Sequence, residues 1–172
     1  MNLPLEYFIA RFEENFTVFK GIFNDLNPGL YNWKQSDDKW SLLEIICHLV
    51  DEEREDFRRR LQFVVNNEAG QPPGINPVQW VIERSYSTQD YESKIKEFIN
   101  ERQASLVFLE TIDPATLDNF YEHPSLGKLN GHHFLNNWLA HDYLHIKQAT
   151  RLKYDLLSAR GGVHLAYAGT WK

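Results

Sequence analysis

Apolar residues recur every three or four positions through most of this chain, which is the period of an amphipathic α-helix. The pattern predicts four long helices, at residues 3–26, 41–67, 88–111 and 130–159. We found no alternating pattern of the kind that predicts a β-strand. Helices of this number and length favour an all-α fold, a four-helix bundle.

Helix-ending residues separate the predicted helices. Asn27-Pro28-Gly29 follows the first helix, and Ser41 with Glu44 forms a capping box that opens the second. The connection between the second and third helices begins with the Pro- and Gly-rich segment 66–79. At roughly 20 residues it can run back along a helix, so we expect a long crossover that lets helices 2 and 3 run parallel.

Composition and charge exclude several classes of protein. The formal net charge of −6 argues against a general nucleic-acid binder, which needs a basic surface. Cys47 is the only cysteine, which excludes an internal disulfide and a multi-cysteine metal site. Charged residues interrupt the N-terminal segment, which therefore does not resemble a signal peptide, and no apolar run is long enough for a membrane span. We expect one cytoplasmic domain over residues 1–172, with neither nucleic acid nor membrane as a partner.

The most informative motif lies in the fourth predicted helix, where His141 and His145 are four residues apart. Residues at this spacing share one helical face, and here that face is the apolar one, so both imidazoles should point into the bundle. Buried imidazoles need partners, because unpaired polar groups in a core are costly. A shared metal ion is one solution; hydrogen bonds to carbonyl groups, carboxylates or Gln148 are the alternative.

Three places in the sequence offer a third metal ligand. His48 lies early in the second helix, at the edge of its apolar stripe. Glu52, one turn later, points the same way and is a candidate ligand, base or group that orients a ligand. His164 in the C-terminal segment and His132-His133 at the start of the fourth helix are the other candidates.

The segment from His141 to His145 also has the frame of the zinc-protease motif H-E-x-x-H, with Asp142 in the position of the general base. Aspartate is one methylene shorter than glutamate, so this match is poor. Asp142 remains a candidate base or ligand-orienting group. The simpler interpretation places it on the solvent side of the helix.

Two segments resemble the DinB-like, or YfiT-like, family of four-helix bundles: KWSLLEIICHL at 39–49 and HDYLHIKQ at 141–148. In that family one histidine of the second helix and an H-x3-H pair of a late helix commonly bind a divalent metal, often zinc or nickel. The resemblance implies His48, His141 and His145 as ligands. Characterised relatives are bacillithiol S-transferases and mycothiol-dependent isomerases, which implies a low-molecular-weight thiol as cosubstrate.

Two functional hypotheses follow from these residues. The first is a metal-dependent transferase or hydrolase acting on a small molecule, because three histidines leave an open position on a tetrahedral metal. The second is a non-catalytic bundle that binds a metal or ligand as a sensor or carrier, or that dimerises. The apolar segment 163–172 either packs back on the bundle or contributes to a homodimer.

Overall fold

The computed structural model describes residues 2–171. In chain order it contains α1 (Leu5–Phe23), α2 (Pro28–Tyr31), α3 (Leu42–Asp51), a π-helical segment (Glu52–Phe57), α4 (Arg58–Val65), α5 (Pro77–Glu83), α6 (Tyr91–Glu110), strands β1 (Phe120–His123) and β2 (Gly127–Asn130), and α7 (Gly131–Arg160). Because α3, the π-helical segment and α4 follow one another directly, residues 42–65 are called the second rod below.

The four predicted long helices correspond to α1, the second rod, α6 and α7, so the predicted four-helix bundle is confirmed. The capping box is present: the Ser41 side chain accepts from the Glu44 amide, and the Glu44 side chain accepts from the Ser41 amide. α6 begins slightly later than predicted, because Asp90 is its N-cap and accepts a hydrogen bond from the Ser93 amide.

Contacts along the second rod show that it runs parallel to α6. Arg54 pairs with Glu97, and Arg58, one turn later, pairs with Glu101, one turn after Glu97. The chain returns between these helices through a connection that contains α5. The predicted long crossover is therefore present.

α1 and α7 form a second parallel pair. The rings of Phe12 and Trp138 lie 4.9 Å apart, and further along both helices the Asn15 amide donates to Asp142 at 3.2 Å. The bundle thus consists of two parallel helix pairs. This arrangement differs from a simple up-and-down bundle, in which consecutive helices are antiparallel.

The apolar core consists of two clusters, and a polar layer separates them along every bundle helix. One cluster contains Phe16, Phe19 and Phe98, whereas the other contains Phe12 and Leu109. Between the apolar residues of the two clusters, each helix contributes buried polar side chains, among them Asn15, His48, Glu52, Glu53, Arg102, Asp142 and His145. Buried polar groups need partners, so this layer requires a chemical explanation.

A two-stranded hairpin, which no alternating pattern in the sequence predicted, precedes α7. β1 and β2 pair antiparallel, with Tyr121 opposite Leu129 and both side chains buried. Each strand has only four residues. Over four residues, an alternation of apolar and polar side chains cannot be distinguished from the helical periodicity of the neighbouring segments.

The segment after α7 is partly packed and partly exposed. The Trp171 ring lies 5.3 Å from the Tyr154 ring and 5.7 Å from the Arg151 guanidinium, so this end of the chain folds back on α7. Val163 and Tyr167 remain exposed. Among the described residues, no helix combines the length and the apolar character that crossing a membrane requires.

Candidate metal centre

The three histidines that the resemblance implies come together in the polar layer. His48 is in α3, and His141 and His145 are one turn apart on α7. The Nε2 atom of His141 lies 3.2 Å from Nε2 of His48 and 3.0 Å from Nε2 of His145. One ligand atom from each residue lies within 4.8 Å of the other two.

The other histidines considered as third ligands lie outside this cluster, whereas Glu52 lies beside it. Nε2 of His132 is 3.6 Å from a carboxylate oxygen of Asp118, near the start of α7. His133 lines a cleft, described below, that His141 also lines, but it is not among the three residues whose ligand atoms converge, and His164 is exposed. His48 is thus the candidate histidine that the fold brings to the H-x3-H pair.

The spacing of the three Nε2 atoms fits a divalent metal ion. An uncharged imidazole nitrogen offers either one N–H or one lone pair, so the three atoms cannot satisfy one another fully by hydrogen bonds. Nitrogen ligands at roughly 2.0–2.1 Å from a tetrahedral zinc lie about 3.3 Å apart, which is close to the two short separations seen here. Imidazole ligands suit zinc, nickel, copper and iron.

Burial keeps the imidazoles uncharged and therefore able to bind a cation. It lowers the pKa of His48 to about 3 and that of His141 to about 2, and it also lowers the pKa of His145. Repulsion between the neighbouring rings lowers the pKa of His48 and His141 further. At neutral pH each ring has a lone pair available for a metal.

One of the three imidazole rings has a partner that fixes its orientation. Nδ1 of His145 lies 2.7 Å from Oε1 of Gln148. Because an amide oxygen only accepts, Nδ1 carries the proton and Nε2 presents its lone pair to the cluster. Metal-binding histidines usually have such a partner on the ring nitrogen that faces away from the metal.

Aromatic rings enclose the cluster on two sides. The Trp40 ring is 4.9 Å from the His48 ring and lies parallel to the His145 ring at 6.4 Å. The Phe57 ring is 4.9 Å from the His141 ring. These contacts displace water from the imidazole faces, which strengthens electrostatic interactions at their edges.

Glu52 lies beside the histidines, and the π-helical segment contributes to its placement. His48, Glu52, Phe57 and Leu61 follow at steps of four, five and four residues, and all are buried. The step of five matches the π-helical hydrogen-bond spacing, and such segments are frequent at functional sites. Oε2 of Glu52 is 4.0 Å from Nε2 of His141, and its Oε1 has no hydrogen-bond partner among the described residues.

The environment of Glu52 favours its protonated form in the metal-free protein. Burial and the neighbouring Asp56 carboxylate raise the pKa of Glu52 to about 8, although Arg60 opposes the shift. A buried carboxyl group with such a pKa can both release and accept a proton near neutral pH.

Asp142 does not lie on the solvent side, so that interpretation was wrong. Its side chain is fully buried, and its carboxylate accepts from Arg102 Nη1 at 2.7 Å and Nη2 at 2.8 Å and from the Asn15 amide at 3.2 Å. A carboxylate engaged in this way is a structural ion pair. This placement does not support Asp142 as a free base.

Arg102 was not identified from the sequence, and it holds the centre of the polar layer. Its guanidinium also donates to Glu53 at 2.8 Å and lies 5.3 Å from the centre of the Phe12 ring. The same Glu53 oxygen accepts from the indole of Trp138 at 3.1 Å. The sequence did contain a signal for Arg102, because this residue lies within the apolar stripe of its helix. A cation buried there requires anionic partners, so its position predicts buried carboxylates nearby.

The histidine cluster opens toward solvent on two sides. The first opening, the hairpin-side cleft, has a volume of about 430 Å³ and includes Phe57, Arg60, Tyr121, Leu129, Phe134 and His141 among its lining residues. The second, the polar opening, has a volume of about 400 Å³ and is lined by Asp38, Lys39, Trp40, His48, His145 and Gln148. His141 therefore faces one opening, and His48 and His145 face the other.

Comparisons with known proteins agree with this architecture. The structure is similar to YfiT from Bacillus subtilis, described as a probable metal-dependent hydrolase with an unusual four-helix bundle topology; the TM-score is 0.75 at 17% identity, over 93% of this chain and 89% of that one. A protein from Streptococcus pneumoniae has a TM-score of 0.69 at 10% identity, over 90% of this chain and 92% of that one. These likenesses establish the fold.

Comparison with curated proteins gave no match. The sequence model of the DinB superfamily, however, matches residues 11–149, which include His48, His141, His145 and most of the four bundle helices. This chain belongs to the DinB superfamily.

Proposed function

We propose that this protein is a divalent-metal-dependent enzyme in which His48, His141 and His145 hold a zinc or nickel ion. The observation that carries the proposal is the convergence of three uncharged imidazoles beside the buried carboxyl group of Glu52. Three protein ligands are typical of catalytic zinc sites, whereas structural sites have four. When bound, the ion supplies Lewis acidity, which makes a thiol or a water molecule nucleophilic at neutral pH.

The surrounding side chains have distinct tasks in this proposal. A cation held by the three histidines favours the ionised form of Glu52, which then accepts the proton of the nucleophile at Oε2, 4.0 Å from Nε2 of His141. Gln148 holds the His145 ring in its ligand tautomer through the contact at Nδ1. Trp40 and Phe57 keep water away from the imidazole faces.

Thiol transfer is the reaction that we propose first. The polar opening, with its acid, lysine and amide side chains, suits a hydrophilic low-molecular-weight thiol. The thiol proton passes to Glu52, the sulfur forms a bond to an electrophilic carbon of the second substrate, and the bond from that carbon to the leaving group breaks. The leaving group departs with the electron pair and takes the proton from Glu52.

The protein's own cysteine is unsuited to act as this nucleophile. Cys47 is buried, and its Sγ lies 3.9 Å from the carbonyl oxygen of Tyr86. Burial raises the pKa of the Cys47 thiol to about 12, so it stays protonated at neutral pH. The thiol must therefore come from a cosubstrate.

Hydrolysis is the second candidate reaction, and the unpaired Oε1 atom of Glu52 favours it. A water molecule at the cluster would give a proton to Glu52 while its oxygen attacks a carbonyl carbon. The bond to the leaving group would then break, and the leaving group would depart with the electron pair and take the proton from Glu52. The similarity to YfiT, a probable metal-dependent hydrolase, supports this alternative.

The test compares both reactions in the zinc-loaded and nickel-loaded protein. One assay combines glutathione, cysteine or bacillithiol with monochlorobimane, and the other follows hydrolysis of 4-nitrophenyl acetate. In the Glu52→Gln variant we expect unchanged metal content and a rate reduced by about 10²-fold or more, the usual contribution of a general base. Glu92→Gln, an exposed position on α6, is the matched control and should retain the wild-type rate.

The outcomes separate the hypotheses. A thiol-dependent rate that falls in Glu52→Gln supports transfer, and ester hydrolysis without thiol dependence supports the hydrolase. Full metal occupancy with neither reaction would contradict the enzyme and favour a sensor or carrier.

A further inference from the structure

The hairpin-side cleft leads directly to a proposed metal ligand. His141 forms part of its lining, together with side chains of the second rod, the β1–β2 hairpin and α7. A molecule bound there is adjacent to the histidine cluster and to Glu52, which contacts the same imidazole. The cleft is therefore placed to hold the compound that reacts.

Most of the cleft wall is apolar. Its apolar side chains include Phe57, Ile75, Leu126, Leu129, Phe134 and Leu144. Leu126 and Leu144 are largely exposed, at 67% and 65%, so the rim offers apolar surface that a ligand would cover. An engineered cavity of about 150 Å³ accommodates benzene. A cleft of about 430 Å³ therefore has space for one ring and a short chain.

The acidic and guanidinium side chains that line the cleft neutralise each other. Asp56 and Arg60 form an i,i+4 ion pair with both side chains mostly buried, and Arg60 also donates to the carbonyl oxygen of Pro73 at 3.1 Å. A ligand carrying a charge of either sign would compete with this pair. The cleft consequently favours an uncharged compound.

Two hairpin side chains supply hydrogen-bond donors at the cleft. Nδ1 of His123 accepts from the amides of Ser125 and Leu126 at 3.1 and 3.2 Å, so its proton is on Nε2. Tyr121 also lines the cleft and is 7% exposed, and its hydroxyl has no partner among the described residues. This hydroxyl oxygen is itself shielded from solvent, so a ligand acceptor that displaces the side chains covering it would satisfy a donor that is otherwise left unpaired at a cost.

We propose that the hairpin-side cleft binds the electrophilic substrate, and that this substrate is an uncharged compound with an aromatic or branched aliphatic group and a hydrogen-bond acceptor directed at Tyr121 and His123. The assignment rests on the proposed function, in which the thiol binds at the polar opening. The hairpin-side cleft is then the site of the second substrate. It predicts that the substrate reaches the cluster from the side of His141.

The test uses three probes that share a phenyl ring and differ in charge: N-benzylacetamide, benzylammonium and phenylacetate. They are titrated into protein that has been incubated with zinc, and ¹³C-methyl chemical shifts report where each one binds. N-Benzylacetamide should shift the methyl resonances of Leu126, Leu129 and Leu144 while leaving those of Leu157 on α7 unchanged. Its dissociation constant should be at least fivefold lower than those of both charged probes.

Two variants test individual contacts of the cleft, and a third is the control. Tyr121→Phe should weaken binding of N-benzylacetamide about fivefold, the usual effect of losing one hydrogen bond, without lowering thermal stability. Leu126→Glu should weaken it more than tenfold, because the rim then carries an uncompensated charge. Leu157→Glu, at a position that is 55% exposed and outside the cleft, is the control and should bind like wild type.

Equal affinity for the charged probes, methyl shifts confined to other parts of the protein, or wild-type binding by Leu126→Glu would overturn the proposal. Zinc content measured on the same samples separates it from the proposed function. Zinc uptake without probe binding contradicts the cleft assignment alone. Probe binding without zinc uptake contradicts the metal-dependent enzyme, and with it the role of the cleft as a substrate site.

Discussion

Arg102 of α6 and Asp142 of α7 form a bidentate ion pair at the centre of the bundle, with N···O distances of 2.7 and 2.8 Å and both side chains almost completely buried. Asp142 directly follows His141 and is three residues before His145. The ion pair therefore restricts the rotation of α7 about its axis at the point where both imidazoles must face His48. The polar layer thus links the stability of the bundle to the geometry of the histidine cluster.

Breaking this ion pair should be costly. In Arg102→Met the Asp142 carboxylate stays buried without its main partner, and we expect the free energy of unfolding to fall by about 3–5 kcal/mol. Adding Asp142→Asn should recover part of the loss, because the unpaired charge is removed. Urea denaturation measures both effects.

The matched control for Arg102 is Arg59→Met. Arg59 pairs with Glu68 at 2.8 Å on the surface, and an exposed pair contributes at most about 1 kcal/mol. If Arg102→Met cost no more than Arg59→Met, the central role of the buried pair would be wrong.

Gln148 should affect metal affinity more than stability. Its Oε1 holds the His145 ring, and loss of such a contact typically weakens metal binding by about 10–100-fold. We expect this loss in Gln148→Ala and a smaller change in Gln148→Glu, which keeps an acceptor. Zinc competition with a chelating dye measures the affinity. Gln103→Ala, at an exposed position on α6, serves as control, and an equal loss there would contradict the role of Gln148.

The histidine cluster should make the metal-free protein less stable as the pH falls. The pKa of His141 is about 2 in the folded protein, against an ordinary value of 6.5. Below about pH 6.5 the unfolded chain therefore binds a proton that the folded chain does not. The contribution of His141 to the free energy of unfolding therefore falls by about 1.4 kcal/mol for each unit by which the pH drops below about 6.5. Above about pH 6.5 this contribution is constant.

Glu52 acts in the opposite sense, because its raised pKa of about 8 makes the folded protein retain a proton above pH 4.5. The effect of His141 is therefore measured as the difference in unfolding free energy between wild type and His141→Gln. That difference should decrease by about 1.4 kcal/mol per unit between pH 6 and 4. A difference independent of pH would mean that His141 is not buried in its uncharged form.

The sequence predicted which helical faces are buried, and much of the site follows from that. His141 and His145 lie where the period of α7 places them, and the length of the second connection predicted the crossover. Glu52 was expected one turn from His48, and it lies beside the cluster. These features depend on local spacing, which the sequence contains.

Other features depend on contacts between distant segments, and periodicity does not reveal them. Asp142 was misplaced because its partner, Arg102, is 40 residues away in the chain. The π-helical segment lengthens the step between the buried residues Glu52 and Phe57 to five residues. A regular α-helical period of three or four residues does not predict this step. The apolar stripe therefore showed which residues are buried, but not which buried polar groups pair.

Elemental analysis of the untagged protein tests the three-histidine centre most directly. Wild type, His48→Ala and His141→Ala are compared, with His164→Ala, an exposed histidine outside the cluster, as control. The account predicts about one zinc or nickel per chain in wild type and in His164→Ala, and loss of the metal in the other two variants. Absence of metal from wild type even after zinc or nickel is added, or unchanged metal content in His48→Ala and His141→Ala, would contradict it.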